Sequence, residues 1–245
     1  MFKKNLFITI AGVLLAYLLC SVFYVDSDTN KNLLCSKLRI DLGYQPDRDC
    51  LTENDIRTAI TKAGLSPIGK ELSTISTAVI ENKLKENELI KRVECYKAVD
   101  GTVIIKVYQR IPVLRVFSTR GNYYVDSNGE KMPIPVHFAA YVPVASGFIE
   151  DEYAQKQLYE FALFLKQDKF WNSQIKQIYV APNGDIELTP AVGDQRIILG
   201  KIEDYRQNLE KLRLFYDKGL SKVGWNRYSV INLKFENQVV CTKKD

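Results

Sequence analysis

The sequence predicts an α+β protein: a single transmembrane helix, a small β-α-α-β-β unit, and a mixed, mainly antiparallel β unit with two or more helices. Three observations carry this reading. Residues 6–25, LFITIAGVLLAYLLCSVFYV, hold no charge, and twenty helical residues span about 30 Å, the hydrocarbon thickness of a bilayer. Strand-like runs at 37–42, 93–99 and 102–109 bracket two amphipathic helical patterns. Beyond Pro112, short β-rich runs alternate with turn signals and two further helical patterns. The 245 residues are enough for one large or two small cores, and a chain 46% hydrophobic and 26% charged has the balance of a folded protein.

Lys3 and Lys4 precede the apolar run, and Asp26 and Asp28 follow it. The positive-inside rule keeps residues 1–5 in the cytoplasm and exports the rest. A cleaved signal peptide is the rival; its apolar core would be shorter, and a small-x-small cleavage site is missing. Leu19-Cys20 lacks the small residue that lipoprotein processing requires. Residues 26–36 read as a polar linker. Cys35 and Cys50 flank the strand Lys37–Leu42 on the exported side, where disulfides persist. They form either a bridge or two half-buried thiols.

Thr52 to Ala63 reads as a helix: Thr52 caps it, Asp55 sits in capping-box position, and Gly64 stops it. Ile56, Ala59, Ile60 and Ala63 form its apolar face. A second helix, about Ile75 to Glu86, turns Ile75, Val79, Ile80 and Leu84 inward, and Lys91-Arg92 follows as a helix end. Asp100-Gly101 supplies the positive φ of a tight turn, so Val93–Val99 and Thr102–Gln109 pair as a hairpin. Val103, Ile105 and Val107 share one face, and Cys95 alternates with Val93 as core. Pro112 has no N–H for a ladder and stops the pairing.

The remainder, 111–245, starts with strand Val113–Ser118. Short strands near 122–126, 175–180, 185–189 and 195–199 follow, and turns such as Pro182-Asn183-Gly184 punctuate them. Helices are expected over Tyr153–Phe170 and Ile202–Lys218, and the acids 150–152 favour a helix start. Residues 131–149 are rich in proline and aromatics without a period and read as irregular packed loop. Tyr228–Phe235 alternates, with Ser229, Ile231 and Leu233 toward the core; Phe235 is the last core residue or an exposed aromatic. Glu236-Asn237 turns the chain into a short strand, Gln238–Cys241.

One order of motifs carries a resemblance. A helix end, a Val-flanked strand, Asp100-Gly101-Thr102, Arg110-Ile111-Pro112, and then Tyr123-Tyr124-Val125-Asp126-Ser127-Asn128-Gly129 follow one another. This resembles the FtsQ/DivIB family of bacterial cell-division proteins, as does the closing run Val230 to Val240. Gln109 stands where the family usually has Glu, Asn232 where it has Asp, and Phe235 where it often has Tyr. The resemblance implies that 34–110 is a POTRA-like domain and 111–245 a β domain with a C-terminal edge strand. It implies a scaffold that holds the FtsB–FtsL pair by strand addition at the septum, and through them helps control peptidoglycan synthesis by FtsW and FtsI. On that reading Lys234, Phe235, Asn237, Val239 and Val240 bind the partner, and Lys234 and Lys243 charge its rim. Arg110 and Pro112 form the hinge between domains.

Catalytic chemistry finds little support. His137 is the sole histidine, and any Ser-His-Asp or Cys-His site would have to use it. There is no C-x-x-C pair and no Gly-rich phosphate loop, so no metal or cofactor is expected. The net charge of +5 comes without a Lys/Arg block, which argues against nucleic acid. Two alternatives stay open: a membrane-anchored POTRA protein of envelope transport or assembly, and an extracytoplasmic enzyme.

Overall fold

The computed structural model describes residues 13–17, 33–43, 50–136 and 138–244. Of the predicted span at 6–25, only 13–17 fall within them, helical and exposed. Among the described residues no helix is long and apolar enough to cross a membrane. His137 and Cys20 also lie outside the described residues. The described chain groups into two compact units, one ending at Gln109 and one running from Arg110 together with Cys50.

The first unit is β1 (Lys37–Asp41), α1 (Glu53–Lys62), α2 (Thr77–Lys85), β2 (Ile90–Lys97) and β3 (Thr102–Gln109). Its sheet has the order β1-β3-β2, with β1 parallel and β2 antiparallel to β3. The capping box forms: the Asp55 N–H donates to Thr52 Oγ1 at 3.2 Å, and the Thr52 N–H donates to Asp55 Oδ2 at 2.8 Å. Ile56 and Ile60 from α1 and Ile80 and Leu84 from α2 pack on Val93, Val103, Ile105 and Val107. The turn spans 98–101, where the Ala98 and Thr102 backbones stay paired, and Gly101 takes the positive φ of 82°. A Cβ there would lie 2.9 Å from the Leu34 carbonyl, so the position requires glycine.

Two expectations in this unit are corrected. Val79 is 48% exposed rather than inward, because the apolar stripe of α2 is narrower than its sequence. Lys91-Arg92 ends no helix, since β2 already begins at Ile90. The hairpin pairing ends at Gln109, before Pro112, and the next strand opens at Pro112, opposite Asp126, one residue before the expected Val113.

The second unit is built on a nine-stranded sheet. Its strands are β4 (Pro112–Ser118), β5 (Gly121–Asp126), β6 (Lys131–Met132), β7 (Val144–Gly147), β8 (Ile175–Val180), β9 (Ile186–Pro190), β10 (Arg196–Gly200), β11 (Tyr228–Asn232) and β12 (Val240–Lys243). They run in the order β12-β11-β10-β9-β8-β7-β4-β5-β6. Pairing is antiparallel except at β10/β11, β7/β8 and β4/β7. Helix α3 begins at Asp151 and reaches Gln167 through a π-helical stretch, Ala154–Leu158. Asp168 ends it by capping α4 (Lys169–Gln174), accepting from the Phe170 and Trp171 N–H groups. The expected single helix over 153–170 is therefore two. Helix α5 runs from Tyr205 through a second π-helical stretch, Tyr216–Leu220, to Val223. Leu158, Phe161, Leu165, Leu209 and Leu212 bury one face of the sheet against Val116, Ile178, Leu188, Ile197 and Ile231.

The expectation of irregular loop over 131–149 is overturned in part. Val144–Gly147 is a central strand between β4 and β8, parallel to both. Its sequence, V-A-S-G, is short and small. Gly147 is small because a Cβ would lie 2.3 Å from the Val180 carbonyl and 2.8 Å from the Tyr179 ring.

Candidate functional site

The end of the chain lies at the edge of the second sheet. β12 pairs antiparallel with β11 on one side, with Ile231 opposite Cys241 and Asn232 opposite Val240, and no described strand pairs on the other. Two bonds fix which backbone groups point where. The Leu233 N–H donates to the Ile198 carbonyl on β10, and the Lys244 N–H donates to the Arg227 carbonyl. Strand backbones alternate sides every residue. Val240 and Thr242 therefore face β11, and Cys241 presents its N–H and C=O to the outside of the sheet. β11 and β12 differ from expectation: β11 ends at Asn232, and β12 starts at Val240 rather than Gln238.

Residues 233–239 cross between the two strands and are pinned from below. Lys211 Nζ, on α5, donates to the Leu233 carbonyl at 2.6 Å and the Phe235 carbonyl at 2.9 Å. Lys234, expected to charge the rim, is 44% exposed at its side chain and paired with an acid. Its Nζ lies 2.6 Å from Asp185 Oδ2, and Lys201 Nζ lies 3.2 Å from Asp185 Oδ1. Hydrogen bonds from Lys234 first, and from Lys201, hold the buried Asp185 carboxyl below the usual carboxylate range. A Cβ on Gly200 would sit 2.9 Å from Lys234 Cγ, so glycine there lets the lysine stem pass. This anchoring leaves Phe235 45% exposed. Asn237, the one non-glycine residue with positive φ among those described, makes the turn at φ 56°. Val239 packs on the core, and Val240 is exposed on the strand itself.

Beside this turn runs a groove of about 590 Å³, lined by Lys211, Leu214, Phe215 and Lys218 of α5 and by Gln238 and Val239. A Cβ on Gly219 would meet the Phe215 ring at 2.8 Å, so a small residue keeps that ring in place. The arrangement joins an open backbone edge to an apolar floor with lysines at its sides. It suits an extended polypeptide. Among the described residues, no group of three or more His, Cys, Asp or Glu side chains could hold a metal ion. The α5 residues escaped the sequence reading although the signal was present. Positions 211, 214, 215 and 218 follow helical spacing and form a second stripe beside the core-facing one.

The remaining sequence-predicted residues lie elsewhere. Arg110 belongs to the second unit: its Nε lies 2.8 Å from Asp126 Oδ2, and its Nη2 donates to the Glu130 and Lys131 carbonyls at 3.3 and 3.0 Å. The Asp126 carboxylate also accepts from the Asn128 and Glu130 N–H groups. The Arg-x-Pro and Val-Asp-x-x-Gly motifs are thus two halves of one clamp. Gln109, in the first unit, accepts from the Leu51 N–H at 2.8 Å and donates to the Leu51 carbonyl at 3.3 Å. An amide can do both; a carboxylate cannot. Cys35 and Cys50 are both buried thiols.

Comparison with known proteins fits this division. Residues 111–242 match the family described as FtsQ/DivIB, C-terminal related. Residues 33–108 match the POTRA-like domain. The chain is 26% identical over 187 residues to the cell division protein FtsQ of Rhodothermus marinus, a match covering 70% of this chain and 67% of that protein.

Proposed function

The chain belongs to the FtsQ/DivIB family, and from that premise we propose that it is a division-site scaffold that binds an FtsB–FtsL-type pair by strand addition at β12. It is anchored by residues 6–25, with the N-terminus in the cytoplasm and both folded units outside. It catalyses nothing, and it acts on septal peptidoglycan synthesis by FtsW and FtsI through its partners. The observation that carries this reading is the outward backbone of Cys241 on an edge strand beside a groove where Leu214, Phe215 and Val239 lie between lysines. Such an edge recruits another strand by main-chain hydrogen bonds, while side-chain pockets confer specificity.

The test uses proline at two adjacent positions. Cys241→Pro deletes an N–H that faces outward and leaves the β11 pairing whole. Thr242→Pro deletes one that faces β11. The first is expected to weaken FtsB–FtsL binding about tenfold or more, near 1.4 kcal/mol, at an unchanged melting temperature. The second is expected to lower the melting temperature. Unchanged affinity in Cys241→Pro would rule out strand addition at β12. Imaging a fluorescent fusion for midcell position, with depletion scored for filamentous cells, tests the division role separately.

A further inference from the structure

The first unit keeps a second prepared surface, the sheet face that carries no helix. Strand alternation places Lys37, Arg39 and Asp41 of β1 on it, with Thr102, Ile104, Lys106 and Tyr108 of β3 and Arg92, Glu94 and Tyr96 of β2. Arg39 and Tyr96 flank Ile104 in register. The cations are set against rings. Arg92 Cζ lies 4.1 Å from the Tyr108 ring centroid, and Lys106 Nζ lies 5.6 Å from that of Tyr96. Glu94 fixes the first pair, lying 3.1 Å from Arg92 Nη1 and accepting from the Tyr108 hydroxyl at 3.3 Å. Tyr96 and Tyr108 remain 39% and 36% exposed. Four cations face two acids, so the surface is net positive.

We propose that this face rests on the anionic phospholipid headgroups of the bilayer that anchors the chain. Tyrosine rings among lysine and arginine are the side-chain set of the membrane–water interface. A flat basic surface gains most from a planar array of negative headgroups. The covalent chain favours this occupant over a soluble one. Residues 26–32 separate the apolar run from Leu33, where backbone hydrogen bonds of Leu33, Cys35 and Ser36 already hold the chain to the first unit, and seven extended residues reach at most about 25 Å. That tether holds the face at high effective concentration over the membrane, so a weak contact suffices. The inference rests on the anchored reading above.

The experiment places the full chain in lipid nanodiscs of phosphatidylcholine, alone or with about 30% phosphatidylglycerol. Nitration by tetranitromethane is then followed at each tyrosine by mass spectrometry. Tyr141 of the second unit, 86% exposed, is the internal reference. Nitration of Tyr96 and Tyr108 is expected to slow about threefold or more in the anionic discs while Tyr141 stays unchanged. The slowing should vanish in Arg39→Glu/Lys106→Glu, and also in about 1 M salt, where the screening length falls to roughly 3 Å. Equal rates in both discs overturn the proposal and leave the anchor intact. So does slowing in neutral discs by a soluble anionic glycan, which would assign the face to a wall polymer. A chain that does not co-purify with discs overturns the anchored reading, and the proposal with it.

Discussion

Arg110→Ala should cost the second unit a large part of its stability. The Arg110 side chain is 13% exposed and Asp126 1%, so the pair is held away from water. Removing one partner of a buried pair costs about 3–5 kcal/mol, because the other charge is left without compensation. Here two backbone N–H groups still solvate Asp126, at 2.8 and 3.0 Å, which places the loss near the lower end, about 3 kcal/mol. Two carbonyls, of Glu130 and Lys131, also lose a charged donor. For a unit of this size, about 3 kcal/mol lowers the melting temperature by roughly 10 °C. The assay is urea and thermal denaturation of residues 33–245, with Asp126→Leu and the double variant completing a mutant cycle. The double variant should be less damaged than either single change, since apolar pairs replace buried ion pairs well. An Arg110→Ala protein that melts within about 2 °C of its parent would refute the clamp.

Three further outcomes are expected. A fragment of residues 34–110 should melt cooperatively, and Gln109→Glu within it should cost about 1–3 kcal/mol, the penalty of a carboxylate facing the Leu51 carbonyl. That penalty should shrink as the pH falls through the carboxylate range, because the protonated acid regains a donor; a pH-independent loss would contradict it. Asp185 has a depressed folded pKa, so its contribution is present above the unfolded value near 3.9 and is lost as pH falls through the folded one. Urea midpoints measured across about pH 3 to 5 should drop in the parent and flatten in Asp185→Asn; parallel curves would count against the Lys234–Asp185 pair. Phe235→Ala should reduce partner affinity about tenfold, near 1.4 kcal/mol, with little change in melting temperature, since the ring is 45% exposed. Binding that falls only in step with unfolding would return Phe235 to the core.

What was legible in the sequence was mainly local. The capping box of α1 is a four-residue signal, and Ile56 and Ile60 bury as their spacing dictates. Gly101 takes the positive φ that its turn requires. β7 was not legible, because V-A-S-G has neither alternation nor bulk: its position is set by neighbours at Arg115–Ser118 and Gln177–Val180. The partner of Lys234 was hidden for the same reason. That lysine's charge is directed by Asp185, 49 positions away, which no period or motif connects to it. Phe235 and Asn237 were readable as a turn after an apolar strand, but the lysine that pins the Leu233 and Phe235 carbonyls, Lys211, comes from a helix more than twenty residues earlier.

The other sheet edges are closed against strand addition, which sets β12 apart as the proposed edge. On β2 the Cys95 N–H faces away from β3, and Glu81 Oε1 on α2 takes it at 2.7 Å. The burial of that strand, with Glu81 second, pushes the Cys95 thiol up to about 11. β1 is five residues long and bears Lys37, Arg39 and Asp41, and charge along an edge discourages pairing. β6 is two residues long and runs straight into Pro133, which has no N–H to offer. β12 is also short, four residues ending in Lys243, but its middle carries neither charge nor proline: Val240 and Cys241 are apolar, and among the described residues no helix side chain bonds the Cys241 backbone. The lysines at its end, Lys243 and Lys244, limit pairing beyond Thr242, and Lys244 is itself held to Asp194 at 2.5 Å. An edge left open over so few residues cannot hold a partner by backbone bonds alone, at about 0.5–1.5 kcal/mol each. The adjoining groove of Leu214, Phe215 and Val239 supplies apolar area to an incoming strand that the edge itself lacks.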